Sequence, residues 1–107
     1  MPTGKDTLNP DGLMKAAREA RERQGEAQAQ AQAAAEMLLS RLADSEEFAA
    51  QLDEAVMRED RDRILALIAE AGVSKEVEVT IVELDPDRWI QFKFCVWVIC
   101  ISVTISW

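Results

Sequence analysis

The side chains best suited to covalent chemistry are gathered near one end of this chain. Within Phe94 to Trp107 (FCVWVICISVTISW) stand two thiols, Cys95 and Cys100, and three hydroxyls, Ser102, Thr104 and Ser106. Thiols are nucleophiles and Ser or Thr alcohols are nucleophiles that can also be dehydrated, so all five side chains are open to covalent change. Nothing in the sequence equips them as catalysts. There is no His and no Tyr, which removes the usual general base, the commonest metal ligand and the phenolic acid. Two cysteines are too few for a four-ligand zinc site without other help. No metal and no cofactor is expected, and the chain is predicted not to be an enzyme: something else acts on this tail or binds it.

Their spacing fixes which of them share a face. Ser102, Thr104 and Ser106 recur at every second position, so in a strand they point one way while Ile101, Val103, Ile105 and Trp107 point the other. The same alternation makes an amphipathic strand whatever its function. Cys95 and Cys100 lie an odd number of steps apart. In one continuous strand they face opposite sides, and no intrachain disulfide is expected. Trp89, Trp97 and Trp107 read as packing residues.

The elements that position this segment follow from composition and periodicity. At 107 residues the chain has the size of one small domain, and much of its 49% hydrophobic content is alanine in a single stretch. A large core is not expected. The net charge of −8 argues against nucleic acid and against an anionic membrane surface, both of which need clustered Lys and Arg. All 20 acidic residues lie at or before Asp87, whereas Trp89 to Trp107 carries only Lys93. Met1 to Asp11 has no apolar run of the kind a secretory signal needs, which predicts a cytoplasmic body.

Asn9 and Pro10 form a helix-entry signal. Leu13 to Glu36 is nearly all Ala, Arg, Glu and Gln and is predicted helical, with no large apolar residue between Lys15 and Glu36 to dock it. Its segment Gln24 to Glu36 is expected to be a solvated, partly frayed helix or spacer, with Gly25 a point of interruption. Leu38 and Leu42 then share a face. Asp44 and Glu47 fit the ends of a capping box for a second helix starting near Ser45, with Phe48, Leu52 and Val56 on one side. Ile64, Leu65, Ile68 and Ala71 make another stripe that ends at Gly72.

Beyond Gly72 the period changes to two. Val77, Val79 and Ile81 alternate with Glu78 and Thr80, Asp85 to Arg88 supplies a turn, and Trp89 to Trp107 is a long β-branched and aromatic run. The predicted fold class is α+β: N-terminal helices, one long and Ala/Gln-rich and two shorter and amphipathic, followed by a C-terminal antiparallel β-hairpin. The second strand is expected to overhang the first, leaving Ile99 to Trp107 unpartnered in a monomer.

Three stretches carry a family likeness: DSEEF at Asp44 to Phe48, AEAGV at Ala69 to Val73, and EVEVTIVELDPDRWIQFKF at Glu76 to Phe94. Together they resemble the nitrile-hydratase-like leader of proteusin-type precursors, ribosomally made peptides whose C-terminal core is enzymatically modified and cut from the leader. The helical part is also similar to nif-type leaders. The resemblance covers Met37 to Phe94, leaves the Ala/Gln-rich helix uncovered, and lacks a Gly-Gly pair to mark leader removal.

Composition and the resemblance together divide the chain into three regions: residues 1–36 as a low-complexity polar helix or spacer, 37–88 as a leader-like body with the first strand and turn, and 89–107 as an apolar core-peptide-like tail. The resemblance implies modifying enzymes and a leader peptidase as partners, a cytoplasmic precursor and an exported core. Cys95, Cys100, Ser102, Thr104 and Ser106 are then the candidate modification sites. Phe48, Leu52, Ile64, Leu65, Ile68, Val77, Val79 and Ile81 are the candidates for leader recognition. Docking of the leader would raise the effective concentration of the tail at a modifying active site. A competing reading makes residues 89–107 a membrane anchor or a self-assembling strand, with a homo-oligomer formed through it. A third makes the chain a helical adaptor whose hairpin adds to a partner's sheet.

Overall fold

The computed structural model describes residues 8–107; the first seven residues of the stretch Met1 to Asp11 lie outside it. Among the described residues three helices precede a three-stranded antiparallel sheet, giving the α+β class. The first helix, α1, runs Pro10–Asp44, 35 residues and about 52 Å at 1.5 Å per residue. Asn9 caps it as expected, its side chain accepting from the Gly12 N–H at 3.1 Å, with Pro10 in the first turn. The helix passes through Gly25 without a break and continues past Glu36.

The expectation that this helix has nothing to dock with is overturned. Ala27, Ala31, Ala34 and Ala35 are buried, in line with Leu38, a stripe at helical spacing. Small side chains let the helix lie close against the sheet, so Ala serves here as a contact residue and not only as a helix former. The α1 helix packs on both β2 (Trp89–Val96) and β3 (Ile99–Ser106).

Helix α2 spans Glu46–Met57 and α3 spans Arg61–Glu70. The cap of α2 is Ser45, whose hydroxyl accepts from the Phe48 N–H at 3.2 Å, where the capping-box reading placed Asp44. Asp60 caps α3 by accepting from Arg63 N–H at 3.1 Å. Gly72 follows α3 with φ 94, the left-handed conformation expected at a helix end.

In the sheet, β1 (Glu78–Asp85) pairs with β2 and β2 with β3. The three-residue turn Pro86 to Arg88 joins the first pair. The Asp85 carboxylate accepts from Asp87 N–H at 2.9 Å, the Asp85 carbonyl accepts from Arg88 N–H at 3.1 Å, and Arg88 takes φ 72. The single long second strand is corrected: the chain folds back at Trp97 and Val98 into β3. Ile99 to Ser106 is therefore paired with β2 along its length and does not overhang.

Ile90, Phe92 and Phe94 of β2 are fully buried and belong to the same hydrophobic cluster as Leu38, Val56 and Ile64 of the helices. This middle strand is the centre of the core. Among the described residues no helix is long and apolar enough to cross a membrane.

Candidate functional site

The candidate site is the outward face and free edge of the β2–β3 hairpin. Register sets Cys95 opposite Cys100, Lys93 opposite Ser102, Gln91 opposite Thr104 and Trp89 opposite Ser106. These all lie on the face away from the helices, because their neighbours Ile90, Phe92 and Phe94 fill the core. Cys100, Ser102, Thr104 and Ser106 are exposed, and Cys95 is half-buried. The expected segregation of hydroxyls from hydrocarbon is present: Ile101, Val103 and Ile105 pack against the core.

The disulfide expectation is reversed. Cys95 and Cys100 are bonded, with Cα atoms 4.1 Å apart. The parity rule for one strand does not apply across a turn. With Trp97 and Val98 as the two turn residues, Val96 faces Ile99 and the two cysteines form the next cross-strand pair, on the same face. Trp97 takes φ 57 and lies over Arg23 of α1, with the guanidinium carbon 5.3 Å from the ring centroid.

The same register settles where the backbone of β3 points. Trp107 N–H donates to the Arg88 carbonyl at 3.1 Å, so the odd-numbered residues of β3 bond to β2. By the alternation of an antiparallel ladder, Cys100, Ser102, Thr104 and Ser106 turn their N–H and C=O groups outward to the free edge. The four chemistry-bearing residues of β3 thus combine exposed side chains with unpaired backbone.

The other end of β3 is pinned by Asp53 of α2. Its carboxylate oxygen accepts from the Trp107 indole nitrogen at 2.9 Å and from Arg88 Nε at 3.2 Å. Beside this contact Leu42, Ala49, Ile105 and Trp107 line an open apolar groove of about 430 Å³, with Glu46 and Asp53 also on its wall. Trp97 and Trp107 are each about half exposed, 50% and 48%; they hold the two ends of the hairpin to the helices and do not sit in the core.

The residues singled out for leader recognition fall in two groups. Phe48, Leu52, Ile64, Ile68, Val77 and Ile81 are buried in the chain's own core. Val79 is half-buried and Leu65 is 38% exposed. Six of the eight are therefore covered in this fold, and only Leu65 and Val79 keep surface open to solvent. Sequence reading also misses Asp53 and Arg23, which carry no local signal. The turn at Trp97 and Val98 does leave one, the Cys-x4-Cys spacing, which a two-residue turn converts into a cross-strand pair.

No protein-family model, no curated protein and no solved structure matches the chain.

Proposed function

We propose that this chain is a precursor-type protein: a helical body that folds around, and presents to other enzymes, a C-terminal hairpin that is the substrate. The observation that supports the reading best is the division of labour within Trp89 to Trp107. Hydrocarbon side chains of the hairpin face the helices, while Cys100, Ser102, Thr104 and Ser106 face solvent and contribute nothing to the core. A modifying enzyme can reach these groups without unfolding the body. The covalent link between hairpin and body is the Asp85 to Arg88 turn, exposed at all four positions, and a leader peptidase would act there.

In a reducing cytoplasm Cys95 and Cys100 are thiols open to thioether or azoline chemistry, and in an oxidising compartment they form the disulfide. The body is the part retained in the cytoplasm, and the hairpin is the part exported.

The test is the intact mass of the chain from its native host, with fragmentation. Mass changes confined to residues 89–107, or a cut within 85–88, are expected. An unaltered full-length chain overturns the reading.

A further inference from the structure

We infer that the free edge of β3 is a self-association surface, and that two copies of the chain pair β3 to β3 antiparallel about a two-fold axis at Val103. This inference stands independently of the precursor reading.

The two edges of the sheet are unlike. The free edge of β1 is guarded: the strand carries Glu78, Glu83 and Asp85, its register shifts between Ile81 and Glu83, and Arg61 Nη1 donates to the Ile81 carbonyl at 3.3 Å. Charges, bulges and capped carbonyls are the devices that prevent strand addition. The β3 edge has none of them. Ile99–Ser106 (ICISVTIS) contains no charge, no Pro and no Gly, and its pairing with β2 has no register shift.

The occupant follows from charge and register. The chain carries −8 overall, yet a second β3 brings no charge to the contact, so self-pairing here avoids the repulsion that any β1 pairing would meet. Four residues, Cys100, Ser102, Thr104 and Ser106, direct backbone outward, and each carries one N–H and one C=O. An axis at Val103 sets Cys100 opposite the second copy's Ser106 and Ser102 opposite its Thr104. Every outward N–H and C=O of both strands is then paired, with none left over.

Side chains agree with the same register. On the outer face Ser102 meets Thr104, a hydroxyl pair, and on the inner face Val103 meets Val103 and Ile101 meets Ile105. Ile101, Val103 and Ile105 are half-buried where Ile90, Phe92 and Phe94 of the middle strand are fully buried. The second copy's Ile101 arrives beside Ile105, on the wall of the apolar groove. Pairing thus extends the sheet to six strands and covers the apolar surface that β3 leaves open.

Sedimentation equilibrium of the oxidised full chain tests this. The expected mass is that of two chains, each 12.0 kDa. Thr104→Pro removes an outward N–H and leaves the β2 ladder intact; it is expected to sediment as one chain with unchanged circular dichroism. Should it lose its fold, Ser102→Lys carries the same readout, because it keeps the backbone and adds charge on the exposed face. Val103→Cys is expected to give a covalent dimer under mild copper–phenanthroline oxidation, two thiols yielding two electrons and two protons to the oxidant. A wild-type chain that stays single across the micromolar range overturns the inference. So does a dimer that persists in the folded edge variants, or a dimer of the Val103→Cys variant that fails to cross-link.

Discussion

The Asp53 carboxylate on α2 accepts a hydrogen bond from the Trp107 indole nitrogen at 2.9 Å, across 54 residues of chain. The same oxygen receives Arg88 Nε from the β1–β2 turn, so one side chain ties both that turn and the end of β3 to the helices. Hydrogen bonds to a charged acceptor contribute about 1.5–3 kcal/mol, and exposed ion pairs roughly 0–1. Because this cluster is partly exposed, Asp53→Ala is expected to lower stability by about 1–2 kcal/mol, and Asp53→Asn by less, since an amide oxygen still accepts from the indole. Urea unfolding followed by tryptophan fluorescence measures both. An unchanged midpoint in Asp53→Ala would show that the end of β3 is held by packing alone.

Reduction of the Cys95–Cys100 bond should loosen the hairpin without dissolving the fold. The bond closes a short loop, for which the chain-entropy treatment gives about 2 kcal/mol. The buried side chains of β2 lie elsewhere, at Ile90, Phe92 and Phe94. Cys95→Ser/Cys100→Ser is therefore expected to remain folded by circular dichroism while its urea midpoint falls by a comparable amount. Thiol titration supplies the control: the native oxidised chain takes up no reagent, and the reduced chain takes up two equivalents per molecule.

How far the sequence foretells this arrangement depends on whether its signals are local. Asn9, Pro10, Ser45 and Gly72 mark helix ends through bonds or dihedrals formed within a few residues, and the Asp85 to Arg88 turn announces itself by composition. The hairpin tip leaves only the Cys-x4-Cys spacing, which becomes a cross-strand pair once the turn is in place. Trp97 adopts φ 57 without being Gly, Asn or Asp, and its ring meets Arg23 from far along the chain, so the sequence there reads as unbroken strand. That one turn also decides the cysteines, whose parity argument holds only while the strand is continuous. The burial of Ala31 and Ala34 is illegible for a related reason. Alanine looks the same in a solvated helix and in a close helix–sheet contact, and only the partner surface distinguishes them.

Enlarging one of those alanines tests the contact directly. Ala31 has no exposed surface and lies in the core cluster. Ala31→Leu changes helix propensity little, so in a solvated spacer it would be nearly neutral. Against the sheet it overpacks, and the expected loss is about 1–3 kcal/mol. Gly25→Ala is the control on the same helix: a Cβ there meets no atom within 4 Å, and it should stabilise by about 0.5–1 kcal/mol. Thermal unfolding of the two variants should shift in opposite directions.

Cutting the chain in the Asp85 to Arg88 turn should not by itself free the hairpin. Three of the fully buried side chains, Ile90, Phe92 and Phe94, belong to β2, while Leu38, Val56 and Ile64 of the same cluster belong to the helices. Removing an aromatic core residue alone costs about 3–5 kcal/mol, so separating the two pieces exposes far more than a single substitution does. A chain carrying a specific protease site in the turn is expected, once cut, to co-elute as one species on gel filtration and to separate only in denaturant. The freed body should then lose helical signal, because its helices no longer have a sheet to pack on. Separation on cutting alone would mean that the hairpin contributes little to the core. For a precursor the expected behaviour carries a requirement: hydrolysis and release are two steps, and release needs an acceptor for the hairpin's apolar face.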